Sequence, residues 1–247
     1  MTIPLAAFIL TFQDDTDVLV NAVRSLAAVE GMREILICDT GPGVVRNNPR
    51  PDQPTVRQFC DWAHTKHWPV VYMSDYQFQG APHYGAACNY YGKILEDYPW
   101  IIYLGSDEML TIELCRDLPD LLAATYANVV TIAPKQLSLY PNEQTYSAGY
   151  FSTFLTHGRI YRPRKVEWEL DLHEHQRYQG EHLQWDNHYI LHFRQLFEMR
   201  CRRQCGHGAE GGGWSNFKAD LRPVAELGVS WLPIEWPQEE RHNEDEQ

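Results

Sequence analysis

Several common signatures are missing from this 247-residue chain. No GxGxxG stretch lies in the turn after its first apolar run, which excludes the usual dinucleotide fingerprint. GxxxxGK followed by Ser or Thr occurs nowhere, which excludes a P-loop. Basic residues are few: Lys+Arg 21 against Asp+Glu 33 leaves a net charge of −12. That balance disfavours unaided binding to nucleic acid or an anionic membrane. An anionic ligand would need a cation or helix N-termini to hold it. No apolar run is long enough to span a bilayer, so no integral membrane segment is expected. The N-terminus has no basic region, and its apolar run is cut off by Asp14-Asp15, so no signal peptide is expected.

Cysteine is present but unpaired in sequence. None of the 6 stands in a CxxC spacing, and Cys38, Cys60, Cys88 and Cys115 lie in apolar segments. This reads as reduced, buried thiols in a cytoplasmic protein. Cys201, Cys205 and His207 offer part of a zinc set, but a fourth ligand and the usual spacing are absent. An apolar content of 44% supports a globular chain, and 13% aromatics suit either core packing or sites for sugars and bases.

The chain opens as strand, helix, strand. Leu5 to Thr11 is a buried strand, followed by the polar Phe12-Gln13-Asp14-Asp15. Thr16 or Asp17 can cap a helix carrying Val18, Leu19, Ala22, Val23, Leu26 and Ala27, which Gly31 ends. Glu34 to Cys38 is the second strand, with Asp39 at its exit. This order predicts a doubly wound α/β sheet. Helices are expected over Thr55–Thr65, Tyr84–Tyr98 and Cys115–Tyr126, and strands over Val70–Met73 and Val129–Ala133.

The centre of the pattern is Trp100 to Leu110. Trp100 to Leu104 is apolar on both alternating faces, as in a strand buried on both sides. It ends in Gly105-Ser106-Asp107-Glu108, at the carboxyl end of the strand, where open α/β sheets bind ligands. A carboxylate there suits a divalent metal and, through it, a phosphate; ordinary turn chemistry is the alternative. On the Tyr84 helix, Gly85, Asn89 and Gly92 permit close approach of a phosphate or sugar, or close packing of helix on sheet.

After Pro134 the texture changes. Val166, Trp168, Leu170 and Leu172 alternate with Glu167, Glu169, Asp171 and His173, a half-buried strand running into Glu174. His188 to Phe193 is β-rich, with His188, Ile190 and His192 on one face. Arg194 to Gln204 reads as helical. Gly206 to Gly213 reads as a lid or a loose connection, and 235–247 as a solvated acidic tail. Asp39, Asp107 and Glu108, the group Asp171, His173 and Glu174, and His192 can all meet on one edge of the sheet.

The order of these motifs resembles glycosyltransferase family 2. Ile9-Leu10-Thr11-Phe12-Gln13 is similar to that family's PTYN-like stretch, and Ile37-Cys38-Asp39-Thr40-Gly41 to its DDGS-like segment. Ala87-Cys88-Asn89-Tyr90-Tyr91-Gly92 loosely matches ARNxG, and Gly105-Ser106-Asp107 matches the DxD segment. Arg159-Ile160-Tyr161-Arg162-Pro163 and His173-Glu174 resemble the later arginine-rich strand and HE pair. Ile190-Leu191-His192-Phe193 resembles the IxHY-like strand. The likeness covers about residues 3 to 200. It departs at Gly105, Cys88 and Thr40, where the family has two acids and an arginine that serve the donor.

The resemblance implies a GT-A, Rossmann-like α/β fold with a mixed, mostly parallel sheet flanked by helices. It implies one domain over 1–234, with a nucleotide-binding half at 1–134 and an acceptor-side half at 135–234. It implies inverting transfer of a sugar from a nucleotide-diphosphate sugar to an acceptor. Thr11, Asp39, Asn89, Ser106 and Asp107 would line the donor, and Asp107 with His192 would hold a divalent metal. Mixed oxygen and imidazole ligands suit Mn²⁺ better than Mg²⁺. Glu174 is the expected base, with Asp171 in reserve. Asp171 also fits a solvated strand face, and Glu174 a rim acid paired with Arg162 or Arg164. The acceptor stays open among glycan, protein, lipid and modified nucleobase. Two other readings are a sugar nucleotidyltransferase, against which the acidic Phe12–Asp15 loop speaks, and a binding protein that keeps the fold without catalysis.

Overall fold

Seven consecutive buried residues, Leu5–Thr11, form β1 at the centre of the sheet. The structure, a computed structural model, describes residues 2–11, 16–39, 54–74, 84–139, 145–147, 158–169, 175–193 and 221–233. β1 lies parallel to β2 (Met32–Asp39) on one side and to β4 (Trp100–Gly105) on the other. β3 (Val70–Ser74) continues the parallel set beyond β2. Alternation divides the core into two layers. Leu5, Ala7 and Ile9 join one cluster with Trp100, Ile102 and Leu104, while Ala6, Phe8 and Leu10 join the other with Ile101 and Tyr103.

Helices cover both faces. α1 (Thr16–Ala27), α2 (Val56–Thr65) and α4 (Ile112–Ala124) bury Leu19, Phe59 and Leu114 in the first cluster. α3 (Tyr84–Ile94) buries Ala87, Cys88 and Tyr91 in the second. α2 starts with a capping box, in which Thr55 and Gln58 satisfy each other's backbone amides. α4 begins ahead of the expected Cys115 because Thr111 caps it, its hydroxyl accepting from Leu114 N at 3.3 Å. Among the described residues no helix is long and apolar enough to cross a membrane.

The second half of the chain adds mixed strands. β6 (Val129–Leu139) runs straight through Pro134, so the 134/135 boundary expected from the sequence falls inside a strand. β8 (Ile160–Tyr161) lies antiparallel between β4 and β6. β11 (Glu181–Phe193) pairs in parallel with β6 and antiparallel with β5 (Glu108–Leu110). Its register slips between Trp185↔Pro134 and Tyr189↔Lys135, so Asp186, Asn187 and His188 bulge out opposite Pro134. Proline offers no N–H to the ladder, and a bulge there avoids the missing bond. β7 (Thr145–Ser147) and β12 (Leu221–Pro223) extend the far side. β9 (Val166–Glu169) and β10 (His175–Tyr178) form a separate hairpin.

The sheet order is β12-β7-β6-β8-β4-β1-β2-β3, with β11 and β5 branching beside β6. This is a mixed, mostly parallel sheet flanked by helices, of the GT-A, Rossmann-like kind. β5, β7, β10, β12 and the first part of β11 are not foreseen in the sequence. The expected helix at Arg194–Gln204, the glycine-rich 206–213 and the acidic tail lie outside the described residues.

Candidate functional site

Parallel register brings the strand ends together. Thr11 pairs with Asp39, Leu10 with Gly105, and Asp39 with Ser74. Thr11 and Asp39 are both buried. Tyr72 reaches along β3 and donates its hydroxyl to Asp39 Oδ2 at 3.0 Å. The Arg57 guanidinium stands over the Tyr72 ring, 5.3 Å from its centroid. β1 thus lies beside the strand that carries the acidic tip, and β2 lies one strand further out.

The tip itself is the turn from β4 into β5. Ser106, Asp107 and Glu108 are all buried there. Glu108 turns inward. Its Oε2 accepts from Gly105 N at 2.7 Å, and its Oε1 accepts from Gln136 Nε2 at 2.6 Å and Arg159 Nη2 at 2.7 Å. Asp107 reaches toward β11. Its Oδ2 lies 3.4 Å from His192 Nε2, and the two side chains are only 12% and 17% exposed. The antiparallel pairing of β5 with β11 sets Glu108 opposite His192 and so brings the ring to the neighbouring Asp107. Burial pushes the imidazole toward neutrality, but the Asp107 carboxylate, helped by Glu108, outweighs burial and the opposing Arg159, raising its pKa above the ordinary value.

Gly105 has a steric reason. A Cβ there would sit 2.9 Å from Asp107 Oδ1 and 3.5 Å from Glu108 Oε2. The space beside Gly105 is therefore occupied by the carboxylates of Asp107 and Glu108. Cys88 is fully buried in the second core layer.

No family model and no curated protein matches this chain. Solved structures of S. aureus TarS are similar in fold. TarS 1-349 aligns at a TM-score of 0.46 and 14% identity, over 65% of this chain and 47% of that one. The same protein in complex with UDP aligns at 0.46 and 12% identity, over 65% and 47%. Its complex with UDP-GlcNAc aligns at 0.44 and 11%, over 65% and 46%. The chain thus spans less than half the length of these structures.

Asn89 links two elements. Its Nδ2 donates to Trp168 O and its Oδ1 accepts from Trp168 N, both at 2.8 Å, clasping β9 to α3. Gly92 serves packing, since a Cβ there would lie 3.3 Å from the Tyr161 hydroxyl. Asp171, His173 and Glu174 lie outside the described residues. Arg162 stacks over Trp100 at 4.2 Å and donates to Val129 O at 3.0 Å. Arg164 pairs with Asp97 at 2.9 Å. Among the described residues no group of three or more His, Cys, Asp or Glu side chains is placed to hold a metal. Asp107 and His192 are a pair of donors, and further ligands on a metal would come from elsewhere.

Sequence reasoning missed Tyr72, Gln136 and Arg159. Arg159 stands within the quoted arginine-rich strand, which was a usable signal; Gln136 lies beyond Pro134, where the strand was expected to have ended.

Proposed function

We propose that this protein transfers a sugar from a nucleotide-diphosphate sugar to an acceptor, using the edge formed by Thr11, Asp39, Ser106 and Asp107 as donor site. The observation that carries the reading is the meeting of Asp107 and His192 at 3.4 Å, beside the ends of the parallel strands. One carboxylate and one imidazole form a donor set that fits a divalent ion whose remaining ligands are substrate phosphates. When bound, such an ion, Mn²⁺ in preference to Mg²⁺, supplies positive charge for the departing diphosphate.

The chain's own residues do the rest. Asp39, steadied by Tyr72, accepts hydrogen bonds from the base or ribose. Thr11 lines that pocket. The bond from the anomeric carbon to the diphosphate oxygen breaks, its electron pair leaving with the nucleotide. The acceptor adds from the opposite face and gives its proton to Glu174, with Asp171 in reserve. A thermal-shift screen of nucleotide sugars with and without Mn²⁺ tests this, since a ligand that binds only the folded state raises the melting temperature. A stabilising sugar nucleotide whose effect vanishes in Asp107→Ala supports the site, and a flat screen refutes it.

A second reading is a nucleotide-sugar-binding protein without turnover. The burial of Cys88 in the core, where the family keeps an arginine for the diphosphate, favours it. Donor stabilisation without donor hydrolysis would select this reading.

A further inference from the structure

We propose that Arg159 is a positioning residue of the donor site, acting on Asp107 through Glu108; the functional half of this inference rests on the reading of Asp107 given above. The argument begins with Glu108. Its side chain is only 3% exposed. A carboxylate so buried persists only where it is paired and hydrogen-bonded. Arg159 supplies the cation at 2.7 Å, and Gln136 supplies a neutral donor at 2.6 Å. The other oxygen takes the Gly105 amide at 2.7 Å, which closes the turn from Gly105 to Glu108. Asp107 is inside that closed turn. Its direction toward His192 therefore depends on Glu108, and the direction of Glu108 depends on Arg159.

Arg159 is itself held from three sides. Its carbonyl accepts from Tyr103 N at 2.8 Å, tying β8 to β4. Its guanidinium lies over the Tyr103 ring, 4.7 Å from the centroid. The preceding peptide is gripped by the buried Gln176 amide, which accepts from Gly158 N at 2.7 Å and donates to Gly158 O at 2.8 Å. Only glycine fits at 158, because a Cβ would lie 1.4 Å from Thr131 Oγ1. The cation is thus placed by the sheet and the β9–β10 hairpin before any ligand arrives.

The glycine at 105 is the counterpart of this arrangement. An acid at that position would contribute its own carboxylate to the donor but would displace Asp107. In this chain the acid at 108, neutralised by Arg159, organises the turn instead.

Amide hydrogen exchange on the full chain tests the relay without reference to activity. In Arg159→Met the Gly105 amide should exchange at least about tenfold faster, because its acceptor is released, while the Tyr103 amide, bonded to the backbone of residue 159, keeps its rate. Arg159→Lys should restore part of the Gly105 protection. Unchanged Gly105 exchange overturns the proposal. Equal acceleration of Gly105 and Tyr103 also overturns it, since Arg159 would then merely hold the sheet. Should Arg159→Met fail to fold, Arg159→Gln is read at the same two amides, with the same outcomes deciding. A wild-type chain that binds no nucleotide sugar would sink the proposed function, and the exchange rates would still decide the relay.

Discussion

Asp107 and His192 approach to 3.4 Å because β11 runs antiparallel to β5 and sets His192 beside the acidic turn. β5 is short, and Ile190↔Leu110, Leu191↔Met109 and His192↔Glu108 make up the whole pairing.

Replacing either partner should separate binding from folding. Asp107→Ala should abolish Mn²⁺-dependent donor stabilisation, and His192→Ala should weaken it by about tenfold or more. Each variant should keep its far-ultraviolet circular dichroism. Calorimetric titration with Mn²⁺ and the nucleotide sugar selected by the screen measures both effects.

Gly105→Ala should fold, because the nearest obstacle is the end of the Asp107 side chain at 2.9 Å, which can swing aside. The swing takes the carboxylate away from His192. Donor binding should fall while unfolding stability changes by no more than about 1 kcal/mol. Gly105→Asp should fare no better, although it adds a further carboxylate to the turn. Urea melts beside binding titrations give the comparison.

Gly158→Ala should be far more damaging to the fold. The new methyl would overlap Thr131 Oγ1 at 1.4 Å and approach Thr131 Cβ at 2.8 Å. A loss of about 2–3 kcal/mol or more is expected from overpacking of this kind. Gly228 provides the contrast. Nothing lies within 4 Å of a Cβ there, and the cost of Gly228→Ala comes only from its left-handed φ of +60, about 1–2 kcal/mol. Chemical denaturation ranks the two.

Two thiols should make stability fall in alkali. Burial first, then the charges of Asp61 and Asp39, push the Cys60 thiol up to about 12. Burial, with Glu113 adding to it, pushes the Cys115 thiol up to about 12 as well. The unfolded chain gives up these protons at about pH 8.5–9. The folded chain therefore holds more protons than the unfolded one above that pH, and stability declines as pH rises toward about 12. Cys60→Ala or Cys115→Ala should flatten the decline. Alkylation of the native protein at pH 8 should spare both residues, and modification of either without unfolding would contradict their burial.

The parallel strands were legible because burial on both faces leaves a continuous apolar run, as at Leu5–Thr11 and Trp100–Leu104. Thr11, Asp39 and Asp107 were legible with them, since the exits of such strands share one edge. His192 was singled out by the resemblance of Ile190-Leu191-His192-Phe193 to the IxHY-like strand. The course of β6 through Pro134 was not legible, because proline ordinarily ends a central strand; only the bulge at Asp186, Asn187 and His188 makes it tolerable. The early part of β11 is mostly polar and carries no run to detect. Asn89 left two readings open, and in this structure its amide makes a pair of hydrogen bonds with the Trp168 backbone. The roles of Glu108 and Arg159 depend on a contact between distant segments that no local pattern records.

The parallel ladder between β6 and β11 also sets a timetable. It joins 129–139 to 181–193, and closing so long an intervening segment makes such pairing a slow step in folding. During synthesis the acidic turn leaves the ribosome well before its histidine, and strands β1 to β4 can already assemble by then. Strands β1 to β4 can therefore come together while residue 192 is still unmade, and on the proposed function the ability to engage a donor would be among the last properties the chain acquires.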